Sequence, residues 1–487
     1  MNSSQQLQHL YWRAGFGPRP QDVAAGLSPR QALRQLLRDS AKHEPLAVAG
    51  LDQPRPPDVV MTDPASAQNS PPAAPPRLPR ADLTPEQRKA QNQGLREAFA
   101  TLSTAWMDRM ASSPAQLREK MTLFWHGHFA CRVRQPAAAL RLHNTTRQHA
   151  LGKFPDLLRA VSQEPAMLQF LNNQQNRPAH PNENFAREVM ELFTLGRGHY
   201  TETDVKEAAR AFTGWGYNGQ GNFRFRARDH DAGPKTFLGR TGNFTGDDVL
   251  RIIVEQPAAA TFLVTKVYRF FVNEVPNPAH IAPLAGAFRA SGYDLADLME
   301  RLFSADWFYE PANVGTHIKS PVELLAGIRR TLGVRLDNAR PLLGYQKALG
   351  QTLFQPPNVA GWPGGRAWIC SSSLLLRLQL PAILFRNAGF AVALKRDEDD
   401  LAPNLTRTKR TPRPGAGAHL TLAPLQLLLS TTPAARQPEK LSQFLLQAAI
   451  RPESLRLVQQ AAAQQEPAEA LQATLVGLLG LPEYQLA

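Results

Sequence analysis

The chain has 487 residues, of which 43% are hydrophobic, and its formal net charge is +14 at pH 7. These values are typical of a soluble globular protein that can build a large core. The two cysteines, Cys131 and Cys370, lie far apart in the sequence and have no metal-type spacing, so neither a disulfide framework nor a cysteine zinc site is indicated. The positive charge favours an anionic ligand or polymer, but it does not choose among them.

The amino-terminal segment has no basic stretch followed by an apolar stretch, so it does not resemble a secretory signal. No uninterrupted apolar run reaches the roughly 18 residues that a membrane helix needs. We therefore predict a soluble chain with no membrane span, cytoplasmic by the absence of a signal peptide. Export together with a partner protein stays open.

Apolar residues recur at helical spacing along most of the chain. Two short helices are predicted near the amino terminus, and a stretch rich in Pro, Ala and Ser at residues 52–79 predicts a flexible loop. Helical patterns return from Thr84 onward. The strict alternation Asn-Phe-Arg-Phe-Arg that begins at Asn222 predicts one arm of a β-hairpin within residues 222–239.

The carboxy-terminal half continues the helical pattern with two interruptions. Residues 356–368 are rich in Pro and Gly and contain two Trp, which predicts a fixed loop, and residues 395–417 predict a charged insertion. Residues 420–487 predict a helical tail. Together the elements predict a mainly α fold. We expect one large, bundle-like multi-helix domain over residues 1–487, with a small β-hairpin insertion and long loops rich in Pro and Gly.

The stretch PNENFAREVMELFTLG at residues 181–196 combines two stripes. If it is one helix with about 100° per residue, Asn184, Glu188 and Glu191 lie within about 60° of one another. Apolar residues occupy the neighbouring sector, so a stripe to bury lies beside two carboxylates and an amide. The simpler interpretation is a solvated acidic face in which Arg187 and Glu191 form an ion pair. The functional interpretation is a site with perturbed carboxylates.

Two histidines, His126 and His128, flank Gly127 near the end of a predicted helix. On a continuous helix their side chains point roughly 200° apart. They can therefore share a metal only if the helix ends near Gly127 and the chain becomes extended. In the alternative, one histidine caps the helix end and the other packs in the core.

In the segment DHDAGPKTFLG, His230 and Asp231 are followed by Lys235. These side chains can ligate a metal, hold an anion or cap the hairpin. Loop Asp residues commonly bond to their own backbone. The sequence leaves these three roles open.

Eight motifs together are specific enough to indicate a family. They are LYWRAGFGP at 10–18, LFWHGHF at 123–129, the stretch at 181–196, YTETDVKEAARAFTGW at 200–215, HDAGPKTFLG at 230–239, KSPVELL at 319–325, PPNVAGWPGGRAWI at 356–369 and the closing LLGLPEYQ. The sequence resembles the bacterial family known as domain of unknown function 1800. The resemblance implies a largely α-helical fold and, as a partner, a sulfatase- or alkaline-phosphatase-like protein often encoded beside the family. It supplies no activity that can be assigned residue by residue.

One hypothesis is a metal-dependent, hydrolase-like enzyme in which these polar motifs converge on one pocket beside the loop at 356–368. The metal ligands would be His126, His128, Glu188, Glu191 and His230. Mixed nitrogen and oxygen ligands suit a divalent metal such as Zn, Mn or Fe. Glu183 or Asp231 would be the catalytic base for a metal-bound water. The substrate would contact Asn184, Arg187, Lys235 and Trp362.

Two other classes of function compete with the enzyme. In the first, a non-enzymatic helical scaffold or accessory protein, arginines neutralise the carboxylates and the basic surface binds an acidic partner. If Arg13, Arg187 or Arg210 match the carboxylates one for one, no cation is needed. The second, binding of a nucleic acid or another polyanion, rests on the net charge and the Phe-Arg-Phe-Arg segment, and it ranks last.

Overall fold

The computed structural model describes residues 1–51, 84–336, 340–386, 418–419 and 422–487. Within these residues the chain forms 21 α-helices and six strands of two or three residues. The prediction of a mainly α fold is therefore confirmed. The predicted flexible loop at 52–79 and the predicted charged insertion at 395–417 lie outside the described residues.

The first part of the described chain, up to the first strand, is helical. Its α-helices are α1 (Ser3–Ala14), α2 (Pro20–Ala24), α3 (Pro29–Ala41), α4 (Pro85–Ser112), α5 (Gln116–His128), α6 (Pro136–His149), α7 (Phe154–Ser162), α8 (Pro165–Phe170), α9 (Glu183–Glu188) and α10 (Glu202–Ala211). A π-helix, Val189–Thr194, directly follows α9.

Two short antiparallel hairpins follow α10. β1 (Trp215–Tyr217) pairs with β2 (Phe223–Phe225), and β3 (Lys235–Phe237) pairs with β4 (Arg240–Gly242). The alternating segment predicted from sequence is thus the second arm of the first hairpin. Residues 222–239 contain one strand from each hairpin.

Helices again dominate the rest of the described chain. The elements are α11 (Gly246–Glu255), α12 (Pro257–Phe271), α13 (Pro278–Ala290), α14 (Leu295–Ser304), α15 (Pro321–Thr331), β5 (Arg335–Leu336), α16 (Arg340–Leu349), α17 (Ser371–Arg386), β6 (Ala418–His419), α18 (Ala423–Leu429), α19 (Gln437–Leu445), α20 (Pro452–Ala463) and α21 (Pro467–Leu479). Strands β5 and β6 pair antiparallel.

Local sequence explains where several helices begin. Capping boxes open α3, α4, α10, α11 and α15, and their cap residues are Ser28, Thr84, Thr201, Thr245 and Ser320. In each box the cap side chain accepts a bond from the third helical N–H, and that residue's side chain bonds back to the cap. In α3, α4 and α15 a Pro follows the cap, where a backbone N–H has no helical partner to lose.

The stretch at 181–196 begins and ends as its sequence indicates, but it is not α-helical throughout. Asn182 caps α9 by accepting a bond from the N–H of Asn184 at 3.0 Å, and Gly196 follows the helix end with a φ of +78°. Between them α9 passes into the π-helix, whose hydrogen bonds run to the fifth residue along. The angular spacing of an α-helix therefore does not hold beyond Glu188.

One continuous cluster of buried apolar side chains joins helices from both ends of the chain. Its members include Leu10, Trp106, Trp125, Phe271 and Leu478. None of the described helices combines the length and the apolar character that crossing a membrane requires.

The end of the chain returns to the segment before α15. The N–H of Lys319 donates to the carbonyl of Gln485 at 2.9 Å, and the main chains of His317 and Ala487 exchange two further hydrogen bonds. The residues after α21 are therefore held against the start of α15, beside the buried polar groups described below.

Candidate functional site

Arg187 links the carboxylates at the start of α9. Its guanidinium donates to Glu183 at 3.1 Å and to both carboxylate oxygens of Glu202 at 2.7 Å. These contacts, led by the hydrogen bonds to Glu202, raise the pKa of Arg187. The three side chains are between 32% and 69% exposed, so the group is a solvated ion-pair cluster.

Glu191 is paired, whereas Glu188 is not. Arg197 Nε donates to Glu191 Oε1 at 2.6 Å, and the Tyr200 hydroxyl donates to Oε2 at 3.0 Å. The bond from Arg197 lowers the pKa of the Glu191 carboxyl. Glu188 accepts no hydrogen bond from the described residues. Burial, and then the charge of Glu191, raises the pKa of Glu188.

Asn184 bonds to the backbone. Its side-chain nitrogen donates to the carbonyl of Leu171 at 3.4 Å, and its N–H donates to the cap residue Asn182. The predicted substrate contact is thus a tie between the start of α9 and the end of α8.

His126 lies in an aromatic cluster that includes Trp362. Its Nε2 accepts a hydrogen bond from the N–H of Phe354 at 3.0 Å. The imidazole ring lies 5.1 Å from the Trp106 ring and 5.5 Å from the Trp362 ring, centroid to centroid. Burial lowers the pKa of His126 to about 4. A cavity of about 10 Å³ adjoins His126 and His143, which is room for one water molecule.

His128 points elsewhere because α5 continues through Gly127 to its end at His128. Its Nε2 donates to the carbonyl of Phe193 at 3.0 Å. Lys266 Nζ lies 3.5 Å from His128 Nδ1 and donates to the carbonyl of Leu192 at 2.9 Å. Burial lowers the pKa of His128 well below its ordinary value and that of Lys266 to about 8. Both carbonyls belong to the π-helix, so two basic side chains hold its wide turn.

The loop between the two hairpins is held by α10. Arg210 donates to both oxygens of Asp231, at 2.7 and 3.2 Å, and the first of these bonds lowers the pKa of Asp231. His230 Nδ1 donates to the carbonyl of Thr213 at 3.0 Å. Lys235 Nζ donates to the carbonyl of Asp231, and burial lowers the pKa of Lys235. These contacts agree with the alternative in which the motif caps a hairpin.

The predicted site residues thus form separate groups around His126, His128, Glu191 and Asp231. In the described part of the chain, which contains all of the predicted ligands, no three His, Cys, Asp or Glu side chains are placed to hold a metal ion. Helix α5 and the π-helix do meet, as the hypothesis of a shared pocket requires. They meet through backbone carbonyls, however, and not through the carboxylate of Glu188.

A second polar cluster lies in the interior, and the sequence analysis does not predict that its members meet. We call it the buried basic centre and define it by Arg13, Lys120, Lys319, Glu323 and Arg377. None of these residues is more than 4% exposed. The centre brings together α1, α5, α15 and α17 with the segment that precedes α15.

Glu323 is the carboxylate of this centre. Lys120 Nζ donates to its Oε1 at 2.5 Å, while His317 Nε2 lies 3.2 Å from its Oε2. The N–H of Ser320 also donates to Oε2, at 2.7 Å. Burial alone raises the pKa of Glu323, but the charges of Lys120 and His317 hold it well below its ordinary value.

Lys319 contacts a carbonyl and two aromatic rings, and no carboxylate of the described residues pairs with it directly. Its Nζ donates to the carbonyl of Tyr484 at 2.7 Å. The same ammonium lies 3.6 Å from the centroid of the Trp12 ring and 3.9 Å from that of Tyr484, an arrangement that stabilises a cation. Burial lowers the pKa of Lys319 well below its ordinary value.

The two arginines of the centre use only part of their hydrogen-bonding capacity. Arg377 Nη1 donates to the carbonyl of Lys319 at 2.9 Å and to Gln485 Oε1 at 3.4 Å. Arg13 Nη2 donates to the carbonyl of Val272. Four nitrogens have no partner among the described residues, namely Nε and Nη1 of Arg13 and Nε and Nη2 of Arg377. Burial lowers the pKa of each arginine to about 10, so both are charged at neutral pH.

One sequence signal does point to this centre. The run SSSLLLRLQLPAILF, which forms most of α17, contains Arg377 as its only ionisable residue. A lone charge in an apolar helix must either bind polar partners inside the protein or stay in contact with water. Arg13 and Glu323, in contrast, resemble an ordinary polar position and an ordinary first-turn carboxylate.

Comparisons with known proteins complete this picture. No curated protein and no solved structure has a significant match to the chain. Residues 9–486 match the family described as protein of unknown function (DUF1800), and the chain therefore belongs to that family.

Proposed function

We propose that the chain is a non-enzymatic helical scaffold or accessory protein whose basic surface binds an acidic partner. One observation carries the proposal, the pairing of carboxylates with arginines. Arg187 pairs with Glu183 at 3.1 Å, Arg210 with Asp231 at 2.7 Å, and Arg197 with Glu191 at 2.6 Å. A carboxylate matched in this way has little free charge to offer a cation. This is the pairing that separates a scaffold from a metal site.

The net charge of +14 favours a partner with an acidic surface. A basic surface attracts an acidic one, which accelerates association and selects among partners more than it adds affinity. The family resemblance suggests the sulfatase- or alkaline-phosphatase-like neighbour as this partner.

Co-expression with that neighbour, followed by co-purification at increasing salt, tests the proposal. We expect a complex at low salt that weakens as salt screens the surface charges. An unrelated acidic protein of similar net charge serves as the control. Equal retention of the control, or no complex with the neighbour at any salt, contradicts the proposal. Steeply salt-dependent binding to DNA without the neighbour would favour the polyanion alternative.

A metal-dependent hydrolase is the second candidate, and Glu188 is the observation in its favour. This carboxylate is half-buried, has a raised pKa and accepts no hydrogen bond from the described residues. Elemental analysis of untagged protein, purified without chelator, tests the candidate beside a Glu188→Ala, His126→Ala double variant. Near-stoichiometric metal that the folded double variant loses would replace the scaffold proposal with the enzyme. Metal absent from both proteins would remove the second candidate.

A further inference from the structure

The buried basic centre contains four basic side chains, Arg13, Lys120, Lys319 and Arg377, and one carboxylate side chain, Glu323. Lys120 and Glu323 pair at 2.5 Å, and this pair uses the carboxylate of the centre. Arg377 forms no ion pair within the ranges that the structure describes, although the charge of Glu323 acts on it at longer range. A buried guanidinium without a close counter-charge is strongly unfavourable. An anion close to Arg377 would therefore stabilise the centre.

Arg377 presents an open edge. Its Nη1 is used by the carbonyl of Lys319 and by Gln485 Oε1. Nε and Nη2, which lie together on one edge of the planar group, have no partner in the part of the chain that the structure describes, and the residue is fully buried. That edge is the fork with which arginine takes two oxygens of a carboxylate, phosphate or sulfate.

The neighbouring groups add donors rather than a counter-charge. Gln485 accepts from Arg377 through Oε1, which places its amide nitrogen Nε2 close to the guanidinium, and within the described ranges that nitrogen has no partner. The ammonium of Lys319 is near enough for the charge of Arg377 to add to the lowering of the Lys319 pKa that burial causes. Glu483, two residues before Gln485, pairs through Oε1 with Arg451 at 3.4 Å, and its buried Oε2 has no partner among the described residues.

We propose that the buried basic centre binds a small oxyanion, such as phosphate, sulfate or a carboxylate group, against the open edge of Arg377. The ligand accepts two hydrogen bonds from Arg377 and one from Gln485 Nε2, and its charge offsets those of Arg377 and Lys319. This inference stands apart from the proposed scaffold function, because it concerns the interior rather than the surface. Since the centre is buried, the anion enters and leaves through local opening and exchanges slowly.

The first test is the anion content of the protein as purified. The untagged chain is exchanged into a chloride buffer, unfolded in guanidinium chloride and filtered, and the filtrate is examined by ion chromatography and mass spectrometry. We expect a near-stoichiometric amount of one oxyanion, and its identity distinguishes phosphate, sulfate and an organic carboxylate. If the filtrate holds none, the thermal test below decides.

The second test is the thermal unfolding midpoint in phosphate, sulfate or acetate, each compared with chloride at equal ionic strength. A ligand that binds only the folded state raises this midpoint in a saturable way. Arg377→Gln removes the fork and should weaken binding about tenfold to a hundredfold, the loss expected for charge-assisted hydrogen bonds. Arg377→Lys keeps the charge without the fork and should bind at an intermediate level.

Arg330→Gln is the matched control. Arg330 is also 4% exposed or less, but its guanidinium already donates to the carbonyls of Gly17, Ala111 and Ser113. This variant should lose stability yet keep the full oxyanion response. The proposal is overturned if wild-type protein shows neither released oxyanion nor an oxyanion-specific shift, since water then serves the open donors. It is equally overturned if Arg377→Gln, or Arg377→Lys should the first not fold, responds as Arg330→Gln does.

Discussion

The ion pairs around α9 and those of the buried basic centre use the same kinds of side chain in opposite surroundings. Glu183 and Arg187 are 38% and 32% exposed, whereas Glu323 and Lys120 are 3% and 4% exposed. Water solvates the first pair, so either partner tolerates the loss of the other. In the interior neither charge has another source of solvation, so each depends on its partner.

The two regions also differ in how their charges are matched. At the surface, Arg187 contacts two carboxylates, Glu183 and Glu202. In the interior, Arg13 and Arg377 contact carbonyls and keep open donors. At the surface, the guanidinium of Arg187 is matched by carboxylates and needs no ligand. In the interior, the two arginines keep donors that a ligand can use. A functional role is therefore better sought where desolvated charge is left over than where acidic residues are most visible in the sequence.

The largest effect should follow from Glu323→Gln. The amide leaves Lys120 buried without its 2.5 Å partner, and breaking a buried pair in this way typically costs about 3–5 kcal/mol. The free energy of unfolding from urea titration measures the loss. A double variant, Glu323→Gln with Lys120→Met, should recover part of it because no unpaired charge remains. A single-variant loss below about 1 kcal/mol would mean that water reaches the centre, and the contrast between the two regions would fail.

The next effect concerns the buried histidines and depends on pH. Burial lowers the pKa of His143 well below 6.5, and neither ring nitrogen bonds to any residue that the structure describes. As the pH falls below the pKa of this histidine in the unfolded chain, the unfolded chain binds a proton that the folded chain does not bind. The free energy of unfolding therefore decreases as the pH falls. His143→Phe keeps an aromatic ring against Trp106 and removes that proton. Between pH 7 and pH 5 the variant should lose about 2 kcal/mol less than wild type.

Urea unfolding at several pH values measures this difference. His180→Gln is the control, because it replaces an exposed histidine and leaves the buried histidines in place. An unchanged profile in His143→Phe would mean that His143 is protonated in the folded chain, and the pocket beside Trp106 would then hold a charge.

Helical periodicity was enough to predict the mainly α fold, because the core contacts follow from where apolar residues recur. Capping residues such as Ser28 and Ser320 likewise mark helix starts through local bonds alone. For His126 and His128 the structure shows a continuous helix, since α5 runs through Gly127 and the two rings contact different partners.

The π-helix and the buried basic centre could not be derived in this way. The extra residue in the turn after Glu188 is stabilised by contacts from α5 and α12, and no local pattern encodes contacts so distant in sequence. Arg13 and Arg377 are 364 residues apart by numbering (377 − 13), and only the packed fold shows that both act on Glu323. The surface ion pair between Arg197 and Glu191 could not be predicted from the sequence either, because a turn brings the two residues together.

A smaller effect should follow from Lys266→Met. The change removes the 2.9 Å bond to the carbonyl of Leu192 in the π-helix, but it also removes a buried ammonium that is costly to desolvate. The two contributions oppose each other, so we expect a net loss of about 1 kcal/mol in the free energy of unfolding. Amide hydrogen exchange should locate the loss at residues 189–194. Faster exchange spread evenly over the chain would show that Lys266 does not act on this turn.

The smallest effect is expected at the surface, from Glu183→Gln. Arg187 keeps its two bonds to Glu202 in this variant, and water replaces the lost carboxylate. The free energy of unfolding should therefore change by less than about 1 kcal/mol, and less still at high salt. Urea titrations of Glu183→Gln and Glu323→Gln, run side by side at low and high salt, make the comparison direct. If Glu183→Gln destabilises the chain as much as Glu323→Gln does, the carboxylates of α9 are not solvated ion pairs. A functional site at α9 would then be a stronger candidate than the buried basic centre.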